Sequence, residues 1–145
     1  MLNPDFKEFI QSLNKNDVRY LVVGGYAVAL YGYPRYTKDL DIWIESSESN
    51  ASNLVDALVQ FGFASLEITA EDFLQPDTII QLGYPPNRID LLTSLPGVDF
   101  AECFAARQEV DLEDMTVFFI DIDNLKKNKR AANRAQDIAD LENLD

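Results

Sequence analysis

The chain has 145 residues with 12 Lys and Arg against 25 Asp and Glu, a formal net charge of −13. At 47% apolar and 26% charged residues it can bury a core, which excludes a disordered chain, and its length fits one domain spanning 1–145. The lack of histidine excludes Ser-His-Asp and Cys-His catalysis and imidazole zinc sites, and the single Cys103 excludes an intrachain disulfide or a cysteine-rich metal cluster.

The chain opens on a helix: Asn3 can cap, Pro4 suits the first helical position, and Phe6, Phe9, Ile10 and Leu13 recur at helical spacing before a stop over Asn14 to Asp17. VRYLVV (18–23) is a buried-strand pattern ending at Gly24-Gly25, followed by a short helix over AVALY, closed by Gly32 and Pro34. After the connector RYTK, the run DLDIWIE (39–45) is a strand with Asp39, Asp41 and Trp43 on one face. Ser46 to Asn53 is a turn and cap cluster, and Leu54 to Phe61 is an amphipathic helix stopped by Gly62. TIIQL (78–82) and RIDLL (88–92) flank the turn-rich GYPPN and form a hairpin. A helix over Asp99 to Arg107 and a strand over Met115 to Ile120 follow, then a helical segment capped by Asp123 or Asn124 that runs almost unbroken to Leu144. Strands and helices mix without strict βα alternation, which predicts an α+β fold.

The chemical signal is Gly24-Gly25, thirteen residues, then Asp39-Leu-Asp41 on a strand. Side chains two apart on a strand share a face, ~6–7 Å apart at the backbone, so two carboxylates can converge on one ion. At ~4 Å and an effective dielectric of ~20 they repel by roughly 4 kcal/mol, so the pair wants a cation, or one Asp has its pKa raised. Arg35 and Lys38, on the approach to the strand, do not supply enough positive charge. Mg²⁺ resolves the conflict because it binds one or two carboxylates together with substrate phosphates. Asp90, a solitary charge inside RIDLL, is the third candidate ligand and the group to activate an attacking hydroxyl. The glycine pair lets backbone approach a phosphate at a helix N-terminus; the sequence carries neither a Walker loop nor a GxGxxG fingerprint here.

VGGYAVALYGYPRYTKDLDIWIE resembles the signature of the DNA polymerase β-like nucleotidyltransferase superfamily, and especially its minimal nucleotidyltransferases and AbiEii-type toxin group. Their Arg-x-Thr-x-Asp-x-Asp motif falls on Arg35, Thr37, Asp39 and Asp41; the late helix falls on Lys129, Arg134, Asp137 and Asp140. The resemblance is specific over 18–45 and 125–144. It implies a mixed β-sheet of four or five strands flanked by helices, and Mg²⁺-dependent transfer of a nucleoside monophosphate from an NTP. In that scheme Asp39, Asp41 and Asp90 are catalytic and hold the metal, while Gly24, Gly25, Arg35, Thr37, Lys129 and Arg134 bind the nucleotide. Tyr26 stands where Ser or Thr is usual, and Ala132-Asn133 where Ala-Gly or Gly-Arg is usual.

Competing readings accompany these. A tight turn explains Gly24-Gly25 taken alone, and a solvated helix face explains Lys126, Lys127, Lys129, Arg130 and Arg134. FFIDIDNL (118–125) imitates a phosphatase nucleophile loop, but the 22 residues after Asp123 are too few for that enzyme, so Asp121 and Asp123 are helix caps. The acceptor is a protein, a small molecule or, disfavoured by the −13 charge, tRNA. A catalytically silent nucleotide- or partner-binding module of a toxin–antitoxin pair, with a cognate protein partner, is the alternative. No apolar run approaches the ~18 residues of a membrane span and no signal peptide is evident, so a cytoplasmic location without membrane partners is expected.

Overall fold

The computed structural model describes residues 3–32, 37, 39–63, 66–84 and 87–144. Helix α1 (Pro4–Lys15) begins where Asn3 accepts a hydrogen bond from the Phe6 amide and buries Phe6, Phe9, Ile10 and Leu13, the stripe its sequence spacing predicts. Strand β1 (Tyr20–Val23) is buried throughout and runs directly into α2 (Gly24–Tyr31). Strand β2 (Leu40–Ile44) leads to α3 (Glu48–Phe61), which starts before the predicted Leu54. The Ser/Asn cluster that resembles a turn in fact anchors the helix. Ser47 caps it, and buried Asn50 accepts from the Arg19 amide and donates to the Arg19 and Glu45 carbonyls, tying α3 to both strands.

A 3₁₀ turn over Ala70–Leu74 buries Phe73, and β3 (Ile79–Leu82) and β4 (Ile89–Leu92) form the expected antiparallel pair. Helix α4 (Phe100–Ala105) is followed by β5 (Gln108–Leu112) and β6 (Met115–Phe119), paired antiparallel. Strand β5 makes the sheet six-stranded where four or five strands were expected. It is a largely exposed edge strand, and its turn puts Glu113 and Asp114 at φ 47° and 69° without the glycine that announces such a hairpin.

The last segment is two helices, α5 (Ile122–Ala132) and α6 (Ala135–Leu144), rather than one. Asp121 caps α5, Asn133 ends it in the left-handed region at φ 52°, and the Arg134 amide bonds Asp137 to start α6. Among the described residues no helix is long and apolar enough to cross a membrane.

The mixed sheet has the order β3-β4-β2-β1-β6-β5, with β2–β4 and β1–β6 parallel and the other neighbours antiparallel. Helix α1 packs on α3, α5 on α6, and α2 on β1 and β2. One apolar cluster joins the α1 stripe to the central strands and α3. This α+β arrangement, a mixed sheet flanked by helices, is the predicted fold class.

Candidate functional site

Two register relationships assemble the site. Asp41 on β2 lies opposite Asp90 on the parallel neighbour β4, and opposite Val23 at the end of antiparallel β1. The chain leaves β1 at Gly24, which therefore meets Asp41. A Cβ on Gly24 would overlap the Asp41 carboxylate, and its φ of +65° independently favours glycine. The α2 N-terminus carries no side-chain cap, so the glycine step brings bare backbone beside the carboxylates.

The unmet charge is concentrated on Asp41, whose pKa is raised to about 6. Burial is the largest cause, followed by the negative charges of Asp90 and Asp39, with Lys129 and Arg88 acting in the opposite direction. A raised aspartate is what the unpartnered pair predicts. The expectation that nothing nearby supplies enough positive charge is corrected in part, however. Arg88 Nη2 lies 2.6 Å from Asp39 Oδ2 and 3.2 Å from Asp90 Oδ2, and its Nε lies 3.0 Å from Asp90 Oδ1. Hydrogen bonding to Asp90 is the main reason the Arg88 pKa is raised. Arg88 was legible in principle, being two residues before Asp90 and so on the same strand face.

A cleft of about 480 Å³ is lined by Gly24, Asp41, Asp77, Asp90, Lys129 and Arg134 among others. The fold thus gathers five predicted residues. Asp39 joins them through Arg88 rather than as part of the wall. Gly25 is buried in α2 and Thr37 is half-buried on the connector, neither lining the cleft; Arg35 lies outside the described residues. A larger concavity of about 580 Å³ over Asn14, Arg19, Phe104 and Phe118 contains none of these groups.

Lys129 is 4% exposed and pairs with Asp137 and Asp140, each at 3.1 Å, so it enters the cleft wall from a buried ion cluster. Arg134 adds a 2.7 Å bond to Asp137. Burial alone would raise the Asp137 pKa, but hydrogen bonds from Arg134 and Lys129 outweigh it and hold the carboxyl at about 2. Tyr26, where Ser or Thr is usual, is partly buried and packs its ring edge-on against Phe6 at 5.8 Å, at the border of the core. Trp43 likewise is buried against Phe100.

Among the described residues no three carboxylates are grouped so as to hold one metal ion, and Arg88 bridges Asp39 and Asp90. The donor set nevertheless fits a hard divalent cation: Asp39 Oδ1 is buried without a hydrogen-bond partner, and the charges of Lys129 and Arg88 only partly offset the burial and carboxylate repulsion on Asp41.

A solved Thermotoga maritima structure, provisionally described as a nucleotidyltransferase, matches 98% of this chain and 93% of its own at 15% identity and a TM-score of 0.66. It shares the fold. No curated protein matches the sequence. The model of the aminoglycoside-2''-adenylyltransferase family matches residues 5–78, just over half of the chain, taking in Gly24, Asp39 and Asp41 and stopping before Asp90. The chain therefore belongs to the aminoglycoside-2''-adenylyltransferase family, within the nucleotidyltransferase superfamily.

Proposed function

We propose that this protein is a Mg²⁺-dependent nucleotidyltransferase that moves a nucleoside monophosphate from an NTP to an acceptor hydroxyl. The observation that carries the reading is the Asp41–Asp90 pair on adjacent strands, with Asp39 immediately before β2 and the Gly24 backbone pressed against Asp41. Asp39 and Asp41 are the groups to hold magnesium, which when bound neutralises phosphate charge and polarises the reacting phosphorus.

The chain's own residues supply alignment. Gly24 lets the triphosphate approach backbone, and Lys129 and Arg134 offer positive charge across the cleft. Asp90 receives the acceptor's proton as its oxygen bonds to the α-phosphorus. The bond from that phosphorus to the β-phosphate's bridging oxygen breaks, and pyrophosphate leaves.

The acceptor best matched is a small, positively charged polyhydroxy compound, the class named in the family's description. Asp77 adds another carboxylate to the cleft, and a net charge of −13 repels tRNA.

Thermal melting with each NTP, with and without Mg²⁺, tests the reading, because a ligand of the folded state raises the midpoint. A magnesium-dependent rise with an NTP, lost in Asp41→Asn, is expected. Absence of a shift with every NTP would overturn it in favour of the silent partner-binding module.

A further inference from the structure

Arg88 is built into the site rather than resting near it. Its carbonyl accepts a 3.1 Å hydrogen bond from the Leu40 amide, so its backbone is fixed beside Asp39, and the strand spacing sends its side chain to the Asp90 face. The guanidinium then contacts two carboxylates from two strands at 2.6–3.2 Å, the bridging geometry its planar fork suits. It is the position a cation shared by Asp39 and Asp90 would take.

The charge balance is informative. Within the cluster of Asp39, Asp41, Asp90 and Arg88 the formal charge is −3 + 1 = −2, which one divalent ion neutralises, while Lys129 and Arg134 in the same cleft are already paired with Asp137 and Asp140. The groups that Arg88 leaves unmet are also specific. Asp39 Oδ1 is buried and unpartnered, and none of the Arg88 hydrogen bonds reaches Asp41. Both belong to the Asp-x-Asp pair, at the same end of β2.

We infer that Arg88 is a resident counter-cation standing in for a second metal, so that the site takes one divalent ion with each nucleotide. This rests on the nucleotidyltransferase reading and adds a positioning residue to it. Arg88 fixes Asp39 and Asp90 in place while Asp39 Oδ1 and Asp41 receive the ion.

The experiment is a count of bound Mn²⁺ by electron paramagnetic resonance, with saturating α,β-methylene analogues of the four NTPs, on wild type, Arg88→Lys and Arg88→Met. Circular dichroism monitors folding. One Mn²⁺ per chain is expected in wild type and Arg88→Lys, and two in Arg88→Met. Two ions in wild type, or one in Arg88→Met, overturns the inference and leaves the nucleotidyltransferase reading standing. No Mn²⁺ with any analogue overturns both. If Arg88→Met unfolds, the wild-type count with Arg88→Lys decides: one ion in each supports the role, and two in either removes it.

Discussion

Asp41 and Asp90 stand directly opposite each other on the parallel strands β2 and β4, and this pairing, with burial, sets the acidity of the site. An aspartate whose folded-state pKa is about 6 against an ordinary 3.8 binds its proton more tightly in the folded chain. Folding stability contributed by Asp41 is therefore greatest below about pH 4, declines between the two values, and reaches its full deficit above about pH 6.

Metal-free melts across pH should accordingly show Asp41→Asn matching wild type near pH 4 and exceeding it by about 1–3 kcal/mol at pH 7. Transfer activity should be lost in the same variant. Equal stability across that pH range would remove the buried repulsion from the description of the site.

Asp137 behaves in the opposite sense. Its pKa is held at about 2, below the ordinary 3.8, so its stabilisation is present above about pH 4 and is lost as pH falls toward 2. The effect should be about 2 kcal/mol, measured as the difference between wild type and Asp137→Asn in acid unfolding. Lys129→Met leaves Asp137 and Asp140 buried without their ammonium partner and should cost about 3–5 kcal/mol at pH 7. An exposed solvated lysine would lose almost nothing, so urea unfolding distinguishes the two.

Gly24→Ala should affect binding more than folding. The added methyl group collides with the Asp41 carboxylate, and the left-handed backbone adds strain of about 1 kcal/mol. The magnesium-dependent nucleotide shift should disappear while a cooperative melt persists; an unchanged nucleotide shift would show that Gly24 has no part in the cleft.

Tyr20→Phe should separate stability from the site. The buried Tyr20 hydroxyl donates to Asn14 at 3.0 Å and accepts from the Phe118 amide at 3.3 Å, joining α1, β1 and β6. Removing it strands buried polar groups and should cost about 1–3 kcal/mol in urea unfolding. NTP-dependent melting shifts should be unaffected, since Tyr20 does not line the cleft.

Local sequence determined much of this molecule. The α1 stripe, the buried β1 run, the β3–β4 hairpin, and the Gly-Gly and Asp-x-Asp spacing are short-range periodicities that hydrophobic burial and backbone conformation enforce within a few residues. Asp39, Asp41 and Asp90 were legible because charges in strand patterns stand out. Tertiary structure decided the rest. It set the early start of α3 through Asn50, whose three backbone partners lie just before β1 and just after β2. It also paired exposed β5 with β6 through a turn lacking glycine, and broke the terminal segment at Asn133. Above all, strand register placed Asp90 opposite Asp41 and carried Arg88 to Asp39, 49 residues away in the chain. Electrostatic balance depends on distances between remote segments, and local periodicity does not encode them.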